Sequence, residues 1–203
     1  MNITNQKIGI DISEHNGSLD FEAIRRAGID FVIARLGWGR GHLDTLFYEH
    51  INGATAAGLS VAVYYYSYAR NQSEAEEEAL FTGNVLVDAG LFPHRLPLGI
   101  WYDMEDADGW KEREGVIGKE EITALCRAYM DFMKYQGFSA GIYAGYDWLM
   151  HKIDRASLPK DTPYWCAQWG RTLDAPFAHL WQYTDRLVIG GERFDGDRVV
   201  GKS

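Results

Sequence analysis

The sequence is poor in features that mark several classes of protein. Lysine and arginine together number 20 against 29 aspartates and glutamates, which gives a formal net charge of −9, and no basic cluster stands out. Binding to nucleic acid or to an anionic membrane surface depends on neutralising phosphates, so we expect neither partner. No apolar run approaches the roughly 18 residues that suggest a membrane-spanning helix, so we expect no membrane insertion.

Cysteine is also scarce. The chain has two, Cys126 and Cys166, and their spacing fits no metal or redox motif. Cys126 falls on an apolar helical stripe and Cys166 in a strand-like run, so we predict two buried free thiols. The six histidines show no HExxH or comparable metal-binding spacing.

The first residues lack a basic segment followed by an apolar one, so no secretion signal is visible. Either the protein acts inside the cell, or it leaves by another route, or the sequence is a catalytic piece of a longer chain. A length of 203 residues suits one domain with a large core, and we find no linker, repeat or low-complexity tract. We therefore predict a single domain over residues 1–203.

Strand-like runs rich in Ile, Val and Tyr alternate with helical runs along the chain. The predicted strands cover 7–13, 30–38, 60–69, 96–106, 139–146, 163–169 and 179–184. The predicted helices cover 20–27, 45–57, 74–89 and 119–136. Gly190 and Gly191 separate two further strand-like runs and indicate an antiparallel hairpin. The pattern predicts an α/β fold, an irregular TIM-like β/α barrel of about eight mostly parallel strands with a reduced set of helices.

Local signals indicate several helix ends and turns. Asp20 is a candidate N-cap for the first helix. Ser73 and Glu76 have the spacing of a capping box, and the acidic run 74–78 lies where a helix dipole favours negative charge. We interpret that run as helix stabilisation and the glycine-rich segment 37–42 as a turn between a strand and a helix.

Acidic residues follow several predicted strands. Asp11 ends the first strand, Asp103 and Glu105 end the fourth, and Asp195 lies in the terminal hairpin. The carboxyl ends of barrel strands meet at one mouth, so we expect these acids to converge. Asp103 and Glu105 are two residues apart on a strand, which sends both side chains to one face about 7 Å apart, with Met104 turned the other way.

Crowded carboxyls suit glycosidic bond cleavage. Burial and like charges raise pKa values, so that one carboxyl stays protonated beside an ionised neighbour. Glycoside cleavage uses an acid for the leaving oxygen and an anion facing the developing oxocarbenium charge. Aromatic rings near strand ends suit the faces of sugars, although each ring is as compatible with a core position. The candidate rings are Tyr64, Tyr66, Tyr68, Tyr143, Tyr146, Trp169 and Tyr183. Trp101 and Trp165 fall in mid-strand, and we assign them to packing.

Other chemistries remain open at this point. Asp11, Asp103 and Asp195 offer oxygen ligands that suit Mg²⁺ or Ca²⁺, as in a metal-dependent hydrolase. A carbohydrate-binding barrel without turnover would also use the aromatic rings. A Schiff-base enzyme would need a lysine at a strand end, and every lysine, including Lys111, falls elsewhere in the predicted fold.

Six motifs, in order, resemble glycoside hydrolase family 25, the Chalaropsis-type lysozymes of phage endolysins and bacterial autolysins. They are DISEHNGSLDF (11–21), YDMED (102–106), GIYAGYDW (141–148), WCAQW (165–169), LWQYT (180–184) and FDGD (194–197). The resemblance covers about residues 7 to 200. It implies an N-acetylmuramidase that cuts the β-1,4 bond between N-acetylmuramic acid and N-acetylglucosamine in peptidoglycan.

The resemblance also implies roles for individual residues. Glu105 corresponds to the general acid, and Asp103 to the partner that stabilises charge or orients a nucleophile. Asp11 and Asp195 hold the site and tune the pKa values of that pair. We expect the glycan strand to contact Tyr64, Tyr66, Tyr143, Trp169 and Gln182. No metal or cofactor is implied, and we expect a monomer whose partner is the peptidoglycan glycan strand.

Two departures from the family pattern affect this interpretation. Asp197 stands where members often have Asn, so an extra acid either alters the local field or faces solvent. Members commonly carry wall-binding repeats after the barrel, and none is visible here. We expect action on the bacterial cell wall, after phage-type release from the host cytoplasm or as a domain of a longer secreted chain.

The stereochemical outcome is open from sequence. Retention would use Asp103 as a covalent nucleophile or the substrate's own N-acetyl group held by Asp103, and inversion would need a water on the opposite face. We favour retention assisted by the N-acetyl group.

Overall fold

The structure, a computed structural model, describes residues 6–200. Within this range the strands are β1 (Ile8–Ile12), β2 (Phe31–Trp38), β3 (His42–Leu43), β4 (Ser60–Tyr66), β5 (Ile100–Asp103), β6 (Ala140–Gly145), β7 (Tyr164–Ala167), β8 (Leu180–Ile189) and β9 (Glu192–Val199). The α-helices are α1 (Phe21–Arg26), α2 (Phe47–Ala56), α3 (Gln72–Asp88), α4 (Trp110–Arg113) and α5 (Lys119–Tyr135). Shorter turns are the 3₁₀ segments Glu14–Asn16 and Pro93–Arg95 and the π-helical segment Trp148–Lys152.

Eight strands form a closed ring. Their order is β1-β9-β8-β7-β6-β5-β4-β2, and β1 also pairs with β2, which closes the barrel. Every pairing from β1 through β2 and β4 to β8 is parallel, whereas β9 runs antiparallel to both β8 and β1. The predicted barrel, mostly parallel with an antiparallel C-terminal hairpin and few helices, is confirmed.

The terminal hairpin turns at two glycines. Gly190 and Gly191 have φ values of 61° and 94°, a backbone region that a type I′ turn requires and that glycine enters without steric cost. The predicted position of the hairpin turn is therefore confirmed. However, the predicted strand 179–184 and the first arm of the hairpin are one strand, β8. Only Leu180–Gln182 of β8 pair with β7, so the rest of the hairpin extends beyond the barrel wall.

Alternation along each strand produces two cores. Inward-facing residues such as Phe31, Trp101 and Trp165 fill the barrel interior. Outward-facing residues such as Tyr102 and Met104 pack against the helices. Glycine makes room inside the ring, because a Cβ on residue 9 would collide with the Phe31 ring. The two tryptophans assigned to packing are buried against each other, with ring centroids 6.0 Å apart.

Several local predictions are confirmed and others are wrong. Asp20 caps α1 by accepting the Ala23 N–H at 2.9 Å, and both cysteines are buried free thiols. The N-cap of α3 is Asn71 and not Ser73, because the Asn71 side chain accepts the Glu74 N–H at 3.1 Å. Segment 37–42 is no simple turn, since β2 continues to residue 38 and reverses into β3. Helix α4 and the π-helical segment were not predicted.

The fourth strand is much shorter than the predicted 96–106. It begins at Ile100 because a turn comes directly before it. Gly99, with φ 86°, ends this turn, and the Gly99 N–H donates to the Leu96 carbonyl. It ends at Asp103, so Glu105 lies outside the strand. None of the helices within residues 6–200 combines the length and the hydrophobicity needed to cross a membrane.

Candidate active site

The four acids named from the sequence lie at one mouth of the barrel. Asp11 and Asp195 are directly paired across β1 and β9. Asp103 is the last residue of β5, and Glu105 follows it. Their charges act on one another: Asp195 and Glu105 raise the pKa of Asp11, and Glu105 and Asp11 raise that of Asp103. This is the carboxyl end of the parallel strands, where barrel active sites form.

Glu105 reaches the mouth although β5 has ended. The Met104 N–H donates to the Tyr143 carbonyl at 2.9 Å, which keeps the chain aligned with β6 for one more residue. The Met104 side chain is buried in the outer core, so Glu105 turns to the same side as Asp103. Asp106 then fixes the chain by accepting the Lys111 N–H at 2.6 Å. The predicted placement on one strand is wrong, but both carboxyls still face the mouth.

Gln182 connects the acids to the aromatic wall. Its Nε2 donates to Asp11 Oδ2 at 2.9 Å and to Asp195 Oδ2 at 3.5 Å. Its Oε1 accepts from the Tyr143 hydroxyl at 3.2 Å and from the Trp169 indole N–H at 3.1 Å. With its side chain only 3% exposed, Gln182 uses its full hydrogen-bonding capacity inside the protein. This arrangement favours a role in positioning the acids.

Asp197 does not face solvent, so that option from the sequence is wrong. It is fully buried, and its Oδ1 accepts the Trp165 indole N–H at 2.8 Å. Burial and the nearby charge of Asp11 raise the pKa of Asp197 well above its usual range. Its Oδ2 is buried and has no hydrogen-bond partner within residues 6–200. Both observations favour the protonated form of this extra acid, which keeps the mouth from carrying its full negative charge.

Burial and mutual repulsion raise the pKa values of all these acids. The pKa of Glu105 rises to about 7 because the group is buried and faces the charges of Asp195 and Asp108. The pKa of Asp11 rises to about 7 through burial and the charge of Asp195. Burial and the neighbouring Glu105 raise the pKa of Asp103 well above its usual range. Both shifts favour the protonated form of these two neighbouring carboxyls.

Lys111 lies on α4 and not at a strand end, as predicted, but its side chain is buried beside the acids. Its Nζ donates to the Ser67 carbonyl at 2.5 Å, and the residue is almost completely buried. Burial lowers the pKa of Lys111, while the positive charge opposes the rise in the pKa values of Asp103 and Glu105. No sequence signal identified Lys111, because it lies on the short, unpredicted α4.

Glu78 anchors the same region from α3. Its carboxylate accepts the Tyr68 N–H at 2.9 Å and the Tyr102 hydroxyl at 2.6 Å, and burial raises its pKa to about 7. The interpretation of the whole run 74–78 as helix stabilisation is therefore incomplete. A signal was present, since Glu78 shares a buried helical stripe with Ala75 and Ala79.

The aromatic candidates divide by exposure. Tyr143 is buried with its hydroxyl bonded to Gln182, and Tyr64 packs edge-on against Trp165 at 6.1 Å, so both support the wall of the mouth. Trp169 is 61% exposed and presents a free ring face. The other four rings of the set are half-buried, as is Tyr64; they are Tyr66, Tyr68, Tyr146 and Tyr183.

An open pocket of about 280 Å³ lies beside the acids at the ends of β2 and β4. It is lined by Glu14, His15, Arg35, Trp38, Tyr66 and Tyr68. Arg35 is held there by Asp44, through a 2.8 Å bond from Nε, and by Glu14, through a 3.1 Å contact from Nη2. Its guanidinium lies 4.7 Å from the centre of the Trp38 ring. The pocket thus offers aromatic faces and fixed polar groups, as sugar recognition requires.

The metal alternative finds no ligand set in the described part of the chain. Within residues 6–200, no group of three or more His, Cys, Asp or Glu is arranged to hold an ion. The Gln182 amide instead donates to carboxylate oxygens of Asp11 and Asp195.

Paired acids with raised pKa values at the carboxyl mouth of a β/α barrel, beside an aromatic pocket, define a barrel of the glycoside hydrolase class. Sequence comparison gives the family. The profile of glycosyl hydrolases family 25 matches residues 10–192, and the chain belongs to this family.

Individual relatives agree with this assignment. The autolytic lysozyme of Clostridium acetobutylicum is 26% identical over 188 residues, covering 90% of this chain and 52% of that protein. The modular autolysin LytC from Streptococcus pneumoniae, solved with a synthetic peptidoglycan ligand, superposes with a TM-score of 0.83 at 26% identity, over 96% of this chain and 46% of that one. The chain thus spans about half the length of these two relatives.

A third comparison concerns the fold alone. The bacterial lysozyme from Streptomyces coelicolor gives a TM-score of 0.76 at 18% identity, over 98% of this chain and 94% of that one. At that level of identity the likeness shows a common barrel.

Proposed function

We propose that this chain is a muramidase that cleaves the β-1,4 bond between N-acetylmuramic acid and N-acetylglucosamine in the peptidoglycan of bacterial cell walls. The observation that carries the proposal is the placement of Asp103 and Glu105 together at the barrel mouth beside an aromatic pocket, with burial and mutual charge raising the pKa of both. Membership of family 25 and the autolytic lysozyme among its relatives support the choice of substrate. Its place of action is then the cell wall.

Glu105 is the general acid in this proposal. It is more exposed than Asp103, so its proton can reach the oxygen of a bound glycosidic bond. A pKa of about 7 makes the group an acid that is both present and able to transfer its proton at neutral pH. Burial holds the pKa of Glu105 up, and so does the negative charge of Asp195, whose carboxylate accepts from Gln182.

Asp103 acts through the substrate's N-acetyl group. Its Oδ1 is buried and accepts no hydrogen bond from any residue in 6–200, which makes it an acceptor awaiting a donor. The acetamido N–H of the sugar is such a donor, and holding it would turn the acetamido oxygen towards the anomeric carbon. The expected product is the retained anomer. Release of the inverted anomer, observed by NMR within the first minutes of cleavage, would exclude this route.

The test of function is Glu105→Gln on purified peptidoglycan. The substitution keeps the shape and removes the transferable proton, so we expect the initial rate of cleavage to fall on the order of 10²-fold or more. Borohydride reduction of the new chain ends, followed by sugar analysis, identifies the bond, because a muramidase produces reduced muramic acid ends.

Glu112→Gln is the matched control, since Glu112 is exposed on α4 and the change in charge is the same. It should cleave at the wild-type rate. Equal rates for wild type and Glu105→Gln would remove Glu105 from the mechanism. Binding of glycan by wild type without any new reducing ends would mean a carbohydrate-binding barrel and would refute the proposal.

A further inference from the structure

A basic pocket of about 550 Å³ lies between the β7–β8 loop and the β8–β9 hairpin. Its lining includes Trp169, Arg171, Tyr183, Arg186, Leu187 and Arg198. Three arginines meet here in a chain whose net charge is −9, and the acids of the active site do not line the pocket. Such a concentration of guanidinium groups with aromatic walls is the chemistry that binds a carboxylate.

We propose that this pocket binds carboxylates of the peptide stem that branches from the N-acetylmuramic acid of the glycan strand. The inference rests on the proposed muramidase function, because it takes the glycan strand as the ligand of the neighbouring mouth. It adds a second recognition element, which reads the peptide and not the sugar.

The arginine side chains of this pocket form few ion pairs or hydrogen bonds with the residues that the structure describes. The Arg198 guanidinium stacks 4.1 Å from the centre of the Tyr183 ring, and its buried Nε donates to no acceptor within residues 6–200. Arg171 is exposed and forms no ion pair with the residues that the structure describes. Arg186 has one carboxylate neighbour, Asp185 at 3.4 Å, and its side chain is 75% exposed. A carboxylate ligand would satisfy donors that the fold leaves open.

Trp169 joins this pocket to the active site. Its indole N–H donates to Gln182, which in turn holds Asp11 and Asp195, while its ring lines the basic pocket. The ring order sets β7 and β8 opposite β2 and β4, where the aromatic pocket lies. A glycan that crosses the acids from one pocket towards the other therefore brings its substituents to the arginines.

The stem is the ligand that fits this position. It leaves through the lactyl group on C3 of the same muramic acid whose bond at C1 is cleaved, and its residues carry free carboxylates. Arginine pairs with carboxylates in a two-pronged geometry, and attraction at an exposed site weakens with salt. A phosphate of a wall polymer shares the negative charge, so fragments with and without wall phosphate distinguish the two ligands.

Binding measurements test the inference without turnover. Glu105→Gln serves as the background, and the ligands are soluble glycan fragments with their stems and the same fragments after an amidase has removed the stems. We expect the added pair Arg171→Gln and Arg186→Gln to weaken binding of the stem-bearing fragments about tenfold at low salt, and to leave binding of the stripped fragments unchanged. The matched control is Arg26→Gln with Arg95→Gln, which makes the same charge change away from this pocket.

The outcomes separate clearly. Equal binding of stem-bearing and stripped fragments by the background protein, or an equal loss for both in the arginine variant, would overturn the inference. So would a loss that appears only with fragments carrying wall phosphate. Because binding is measured in a variant without the acid, these results do not depend on whether the wild type cleaves the bond, which the reducing-end assay decides.

Discussion

Substitution of Gln182 tests how much the hydrogen bonds of the site contribute to the free energy of unfolding. Gln182→Met keeps the length of the side chain and removes four hydrogen bonds, those to Asp11 and Asp195 and those from Tyr143 and Trp169. A net contribution of about 1 kcal/mol for each bond, with less for the 3.5 Å contact, amounts to roughly 3 kcal/mol. The buried Tyr143 hydroxyl then lacks an acceptor, which costs about 1 kcal/mol more.

Urea denaturation at pH 7 measures this loss. With a slope of about 2–3 kcal/mol per molar urea, a destabilisation of roughly 4 kcal/mol lowers the midpoint by about 1.5 M. The slope itself should not change. Gln168→Met is the control, because within residues 6–200 the Gln168 side chain bonds only to Asp174 near the surface, and we expect a cost below about 1 kcal/mol.

The same contacts also affect the pKa of Asp11. The Gln182 amide lowers the pKa of Asp11 by donating to its carboxylate, so the loss of this amide raises that pKa above the present value of about 7.

A midpoint shift below about 0.3 M for Gln182→Met would refute the reasoning, because four buried bonds cannot all be present and contribute so little. A shift as large in Gln168→Met would refute it as well.

Two further predictions concern the charges of the site. Asp11 has a pKa raised to about 7 and Asp197 a pKa raised well above its usual range, so the folded state keeps protons that the unfolded chain releases from about pH 4 upwards. The free energy of unfolding therefore falls as the pH rises, and the contribution of Asp11 to this fall lies between about pH 4 and 7. Asp197→Asn should raise the melting temperature at pH 8 and reduce its fall from pH 5 in scanning fluorimetry; an unchanged or steeper fall would contradict the assignment. Lys111→Met removes the charge that opposes the high pKa of Glu105, so the alkaline limb of the pH–rate profile should move to higher pH. A limb that stays or moves down would show that Lys111 does not act on Glu105.

Local patterns were sufficient for part of the active site. The acids Asp103 and Glu105 could be named because they directly follow a buried, strand-like run, and the position of Met104 between them was correct. The length of the strand was wrong, because Gly99 starts it late and the pairing with β6 ends one residue after Asp103. A short strand and an adjoining turn carry the same alternation in sequence, so the pattern alone does not distinguish them.

The residues that the sequence missed are those whose role depends on distant partners. Lys111 meets Ser67, which lies 44 residues earlier, and Glu78 meets Tyr102 across the gap between α3 and the barrel. Neither contact leaves a mark in the local pattern beyond the place of Glu78 on a buried stripe. The strength of an electrostatic interaction depends on the distance in space between the two charges, and that distance is set only when the barrel closes.

By itself, the sequence determined the class of fold, the hairpin and the candidate acids, because strand alternation, the φ values that glycine allows and strand-end acids are properties of neighbouring residues. The tertiary structure alone decided how those acids behave. Gln182 reaches Asp11 across 171 residues of chain, and burial together with the charge of Asp11 raises the pKa of Asp197. These contacts exist because β9 lies between β1 and β8 in the closed barrel, and burial there converts ordinary carboxyls into groups that hold protons near neutral pH.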